Sequence, residues 1–386
     1  MNYLNKYKVG SPFFRTLSEG RMQFNILRNI RRYSHPAPTA IIKARDDRGS
    51  NSYEKCSEAR VFPFPKTIIE PEAARPLLEK ETQAEFTESF VLRLPNGRVL
   101  GDGTVVSKDN CILSETTTDF HRKQEHHHLL SEIKVPLPER FDGRLAVIAS
   151  PGSENYFHWT LDSVPRLSLL QHMDDEIDAY YINNRSPFHR EWLGMLGIPE
   201  KKIFPADPER HIQATELIVP SFNGLAGLPS PEGLDFVRSF MLPAKKEGKR
   251  IYISRSGARR RRLLNENEIL PILKKYGFKT VYPGEMTLAE QMKLFASASI
   301  VVSPHGAELT NLAYCPAGTT VIELLSPYYL NPCFKQLAAI RDLQHIALVG
   351  NGGKRALRKQ IDTHHVWANM RIRPLMLETT LKSMLT

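Results

Sequence analysis

Three stretches of the 386-residue chain place chemistry-bearing side chains where a strand or helix begins or ends. The first is SENYFHWTLDSVPRL, residues 153–167. His158 and Asp162 stand four residues apart in it, so on a helix they share a face about one turn apart. In that register a carboxylate orients an imidazole, or either group takes a proton from an acceptor hydroxyl. Trp159 offers an aromatic face to a sugar ring, and Asn155 joins it on the acceptor side. The competing reading makes His158 and Asp162 structural hydrogen-bonders at a helix N-terminus.

The second stretch, SPHGAELTNLAYCPAGTTVIELLSP, follows the apolar run Ile300-Val301-Val302. A chain needing only a core has no use for Pro304, His305 and Gly306 at the end of a buried strand. A helix opening there presents unpaired N–H groups to an anion, and Gly306 allows the close backbone approach a diphosphate requires. Ala307 and Glu308 continue the turn, Thr310 and Asn311 lie one turn on, and Glu323 ends the next strand where a carboxylate can meet a ribose diol. In the third stretch, RIYISRSGARRRRLLNENEI, Arg255 ends a strand, where a guanidinium can bridge two phosphate oxygens. Arg260, Asn265 and Glu266 complete the donor-side set, and at least two of Arg259–Arg262 are solvated charge.

Positioning these groups needs an α/β scaffold. Strand-like runs at 144–149, 178–183, 216–220, 250–254, 279–282, 299–303 and 319–324 alternate with helix-like stretches at 155–172, 264–276 and 287–298. Asn265 and Glu268 resemble a capping box. Around 85–115 the period is two, and Asn96-Gly97 signals a hairpin. The expected division is a basic extension over 1–50, an acceptor-side domain over 51–243 and a nucleotide-binding domain over 244–350. The tail, 351–386, is expected to pack back toward the N-terminal domain.

An apolar content of 41% and a charged content of 24% suit a globular protein with a sizeable core. The net charge of +10 favours an anionic partner: nucleic acid, an acidic membrane surface or a phosphorylated small molecule. The interleaved basic and apolar residues of the N-terminal extension suit either a surface-seeking helix or a lead-in packed on its own domain. Four scattered cysteines without a CxxC pair, and no secretory or membrane-spanning run, predict a cytoplasmic protein peripheral at most to the inner membrane. The EHHHLL stretch, 125–130, reads as solvated surface, because three adjacent histidines cannot face one ion from a strand.

Taken together, NYFHWTLDSVPRL, YISRSGARRRRLLNENEI and LAEQMKLFASASIVVSPHGAELTNLAYCPAGTTVIEL resemble glycosyltransferase family 61, in particular members of surface-polysaccharide synthesis. The likeness covers roughly residues 85 to 325. It implies a GT-B architecture of two Rossmann-like domains, a nucleoside-diphosphate sugar donor (UDP-linked) held by the C-terminal one, and a glycan or lipid-linked acceptor. It further implies inversion at the anomeric carbon without a metal or other cofactor, which agrees with the lack of any Asp-x-Asp triplet. The family's His-x-x-x-Asp spacing falls on His158 and Asp162, and either can be the base. Arg255 and the amides near His305 and Gly306 would neutralise the leaving diphosphate. Glu308 departs from the small residue usual in the family, and a carboxylate there repels a diphosphate unless it points away or meets a sugar hydroxyl. The alternative is a non-catalytic nucleotide- or nucleic-acid-binding protein; clustered arginines at a single strand end argue against nucleic acid. A hydrolase lacks a GxSxG elbow. Neither donor sugar nor oligomeric state is legible.

Overall fold

The computed structural model describes residues 34–47, 52–118, 124–241, 247–351 and 367–385. They form a mixed α/β fold with two principal sheets and no barrel. The reading of a surface-seeking basic helix falls on residues 1–33, outside the described residues. Residues 34–47 are not a detached extension, since Ala40–Ile42 pairs in parallel with Cys111–Leu113 at a sheet edge.

In the first sheet the parallel strands run in the spatial order Ile203–Pro205, Ala179–Ile182, Glu139–Val147 and His211–Pro220. By chain order that is third, second, first, fourth, so the winding reverses between Glu139–Val147 and His211–Pro220. Antiparallel strands continue the sheet beyond His211–Pro220. Asn96-Gly97 is not a hairpin turn: Ser89–Pro95 and Arg98–Leu100 lie end to end along His211–Pro220. Asn96, at φ 55°, bulges from this nearly continuous strand. The long partner strand overrides the local turn signal because it lets Phe90, Leu92, Leu94 and Val99 enter one core together.

The second sheet is entirely parallel: Lys279–Val281, Lys249–Ile253, Ala298–Pro304, Thr320–Leu325, Gln344–Val349 and Ile68–Glu70. Among its first five strands the winding reverses between Lys249–Ile253 and Ala298–Pro304. Both faces are covered, as a parallel sheet requires; Ile251, Tyr252, Val301, Val302, Val321, Ile322 and Leu324 are fully buried. The sixth strand comes from far upstream, so a cut at 243/244 does not divide the chain between the sheets. The tail also differs from expectation. Helix Pro374–Leu385 packs on Glu266–Lys275 of the second sheet, where Leu377 and Leu381 share a core with Ile269 and Leu273. Asn265 makes no capping bond to that helix. Asn265 stands at the N-cap position of Glu266–Lys275 and its amide donates to Glu268 Oε2 at 3.1 Å, but it also pairs with the backbone of Ile372, donating to the carbonyl at 2.8 Å and accepting from the N–H at 3.2 Å.

The two sheets are locked together. The largest apolar cluster draws Ala146, Trp159 and Ile218 from the first half and Ile251, Val301 and Val321 from the second. Hydrogen bonds among the described residues cross the same interface. Tyr156 Oη donates to Asn311 Oδ1 at 2.7 Å, Arg238 Nη1 to Ala313 O at 2.6 Å, and Leu288 N to Glu191 Oε2 at 2.6 Å. His127, in the stretch read as solvated, is 1% exposed and caps a short helical turn by accepting from Leu129 N. No helix of the described residues is long and apolar enough to cross a membrane.

The edge strand Ile68–Glu70 alternates sharply: Ile69 is 1% exposed among Leu78, Leu325 and Val349, whereas Ile68 is 57% exposed. Ile69→Ala should therefore cost about 2–4 kcal/mol in urea denaturation and Ile68→Ala less than about 0.5. Equal losses would contradict this register.

Candidate functional site

Asn155 starts the helix after the first sheet's leading strand, its side chain accepting from Phe157 N at 2.8 Å. It is an exposed N-cap. The helix runs through Tyr156–His158, widens into a π-turn over Trp159–Ser163 and tightens again over Val164–Arg166. Such π-turns are frequent at functional sites. Arg166 fastens this helix. Fully buried, it donates from Nη1 to Ala149 O at 3.0 Å and from Nη2 to Pro220 O at 2.6 Å. Those carbonyls follow or end the two strands between which the winding reverses. Burial pushes the Arg166 pKa down to about 9, with Asp162 acting against it.

His158 Nδ1 lies 2.8 Å from Asp162 Oδ2, and Asp162 Oδ1 accepts from Gly227 N at 2.5 Å. The Asp162 side chain is wholly buried, whereas His158 remains 23% exposed. Both carboxylate oxygens are thus engaged, and His158 is the member that solvent or substrate can reach. Trp159 does not line a sugar site. Its indole is fully buried and packs edge-on against His189 at 4.6 Å, because the helix turns it into the shared core.

The second sheet's reversal brings Arg255 and Gly306 together. Gly306 has extended backbone at φ −179°, so it is needed for space rather than conformation. A methyl group placed on it would overlap the Arg255 guanidinium and lie 2.7 Å from Glu308 Oε2. Arg255 is 8% exposed, pairs through Nη1 with Glu308 and donates from Nη2 to Arg260 O at 3.3 Å. Its buried Nε has no hydrogen-bond partner among the described residues. Ala307–Tyr314 is a 3-10 helix, not an α-helix.

The other donor-side candidates separate. The Arg260 side chain is exposed and stacks on Trp367 at 3.9 Å, while Arg261 reaches inward over Tyr329 at 5.4 Å. Arg259 and Arg262 are exposed. Glu266 accepts from Tyr252 Oη at 2.8 Å and Ser254 Oγ at 2.7 Å, bracing the strand end from behind. Asn311 is fully buried between Tyr156 and Gln291, and Thr310 is fully buried with a hydroxyl that has no partner among the described residues. Asn265 is held by Glu268 and the Ile372 backbone, and Asn311 by Tyr156, Gln291 and the Glu308 carbonyl.

Glu323 does not present a carboxylate to a ribose. It is 1% exposed and accepts from His305 Nδ1 at 2.5 Å and His345 Nε2 at 2.9 Å. Burial raises its pKa, but the two imidazoles prevail and hold it at about 2. Burial drives the His305 pKa below its ordinary value despite Glu323, with nearby Arg261 and Arg255 adding to the fall. An ionised carboxylate only accepts, so the two facing imidazole nitrogens carry protons.

An aromatic chain joins the two centres. Phe157 meets His158 at 5.0 Å and Phe334 at 5.5 Å, and Phe334 meets His305 at 5.0 Å. His345, Arg166, Arg261, Phe334 and the Gly227 amide are the groups missed by sequence reasoning. The run HIALV, 345–349, was the available signal for His345's strand. Among the described residues no group of three or more His, Cys, Asp or Glu is placed to hold a metal.

Gly306→Ala should keep the fold, since the atoms in its way end a long side chain, yet move Arg255. The expected result is an unchanged circular dichroism spectrum with a loss of about 1–3 kcal/mol in urea denaturation; unchanged stability would contradict the close approach. Glu323→Gln tests the buried carboxylate. With a pKa of about 2 folded and about 4.3 unfolded, its stabilisation is full above the unfolded value and disappears as pH falls toward the folded one. The wild type should exceed the variant by about 3 kcal/mol at pH 7 in urea denaturation, the gap closing between about pH 4 and pH 2. A pH-independent gap would contradict the assignment.

A family model described as Glycosyltransferase 61 matches residues 156–322. Protein O-linked-mannose beta-1,4-N-acetylglucosaminyltransferase 2 of Mus musculus is 38% identical over 101 residues, 24% of this chain and 17% of that protein. The Homo sapiens protein of that name is 39% identical over the same shares. Beta-1,2-xylosyltransferase RCN11 of Oryza sativa subsp. japonica is 33% identical over 63 residues, 16% of this chain and 12% of that one. The match therefore spans less than a fifth of each relative. The segment holding His158, Asp162, Arg255, His305, Gly306 and Glu308 is thus similar to a glycosyltransferase domain.

Proposed function

We propose that the chain is an inverting glycosyltransferase that takes a sugar from a nucleoside-diphosphate donor, UDP-linked, and needs no resident metal. The observation that carries this reading is the meeting of two half-sites. One winding reversal holds an oriented His158–Asp162 pair, the other a buried arginine over a glycine. Ligands of open α/β sheets bind at such reversals, beyond the strand ends. The two sheets then act as the two halves of a GT-B enzyme.

In the reaction, the acceptor hydroxyl attacks the anomeric carbon as the bond from that carbon to the diphosphate oxygen breaks. His158 takes the hydroxyl proton, and the nucleoside diphosphate leaves with the bonding electron pair. Asp162 is too buried to reach an acceptor; it fixes the imidazole with Nδ1 protonated and Nε2 as the base. Arg255 meets the charge that develops on the leaving diphosphate. His305, neutral and held by Glu323, shapes the turn that presents Gly306. The acceptor is a glycan hydroxyl, in keeping with the relatives' printed names, and a lipid-linked glycan in surface-polysaccharide assembly is the specific form proposed.

The test is release of nucleoside diphosphate from UDP-, GDP- and CDP-sugars with a panel of glycan acceptors, with product anomers read by NMR. His158→Ala should lower kcat by about 10²–10⁴-fold with donor binding retained. Asp162→Asn should lower it by about 10²-fold or more, since its amide would turn Nε2 from acceptor to donor. Full turnover by His158→Ala, or retention at the anomeric carbon, would overturn the mechanism.

A further inference from the structure

Arg255 is a cation that the fold buries, and a buried charge is costly unless it is paired or its donors are hydrogen-bonded. Glu308 supplies the partner. The pair forms over the bare face of Gly306, since a methyl group there would strike both side chains. That face lies at the winding reversal, where a phosphate would reach the strand ends. The Glu308 carboxylate therefore stands where a phosphate oxygen has to stand to touch Arg255.

The two partners are held very differently. Arg255 is anchored through Nη2 to the Arg260 carbonyl, and its buried Nε has no partner among the described residues. Its guanidinium fork is thus incompletely used by these contacts, although it suits an anion with two oxygens. Glu308 has its backbone fixed, because its carbonyl accepts from Asn311 Nδ2 at 3.1 Å, but its side chain is 28% exposed and can swing outward.

We propose that Glu308 is an internal stand-in for phosphate. It holds Arg255 while the site is empty, yields to the donor's diphosphate, and returns as the nucleoside diphosphate leaves. This rests on the nucleotide-site reading above and adds a role that reading does not contain. Each binding event exchanges one ion pair for another, so affinity for donor and product is held down and product release is assisted.

The test is calorimetric titration of the full chain with UDP and with inorganic pyrophosphate, comparing wild type, Glu308→Gln and Arg255→Ala. Glu308→Gln should bind both ligands about tenfold more tightly, and by linkage should have a lower ligand-free Tm with a larger gain on adding UDP. In turnover, KM and kcat should fall together as release of the nucleoside diphosphate slows. If the Gln variant fails to fold, Glu308→Asp, which keeps the charge but shortens the reach, should still bind UDP more tightly than wild type. Equal or weaker binding by the variant, with binding lost in Arg255→Ala, would overturn the stand-in role and leave the nucleotide site intact. Undiminished UDP binding by Arg255→Ala would sink the nucleotide-site reading itself.

Discussion

The site depends on one buried segment. Residues Ala307–Tyr314 follow the second sheet's third strand, and Leu309, Thr310, Asn311, Leu312, Ala313 and Tyr314 in it are wholly buried. The segment is wedged between the sheets, bonded to Tyr156 on one side and to Gln291 on the other, with Arg238 on its last turn. Close packing leaves it few alternative positions. Because it opens at Gly306 and touches the helix that carries His158, it fixes the distance between the anion-binding turn and the base.

Both centres then follow from the winding of the sheets. A reversal leaves the ends of two neighbouring strands without a crossover covering them, and the chain supplies a different closure at each. At the first, Arg166 reads three carbonyls from both strand ends and needs no carboxylate partner to do so. At the second, Arg255 is given an acid that a ligand can displace. Two buried arginines at equivalent places thus differ in what they hold, one structural and one poised for exchange. The Glu323–His305–His345 cluster secures the neighbouring strand ends and keeps the His305 turn rigid without exposing a carboxylate.

Much of the scaffold was legible because parallel strands buried on both faces read as short apolar runs. The strands near 250–254, 299–303 and 319–324 fell within a residue or two of their places. The four-residue spacing of His158 and Asp162 was equally readable, but which of them solvent reaches depends on Gly227, 65 residues from Asp162. Trp159 was misjudged because a π-turn alters which face of the helix meets the core. Glu323 was misread because its partner His345 arrives on a later strand. The Asn96-Gly97 signal and the Asn265 cap failed for a related reason: a distant backbone, at 211–220 or at Ile372, satisfied groups that local reasoning had to satisfy nearby.

The central claim is that Arg255 and the Gly306 turn form a nucleoside-diphosphate site. The most direct measurement is a thermal-shift panel of UDP, GDP and CDP on the wild type and on Arg255→Ala, each with and without EDTA. The account predicts stabilisation of the wild type by UDP, indifferent to EDTA and lost in the variant. No shift with any nucleotide, or the same shift in both proteins, would contradict it.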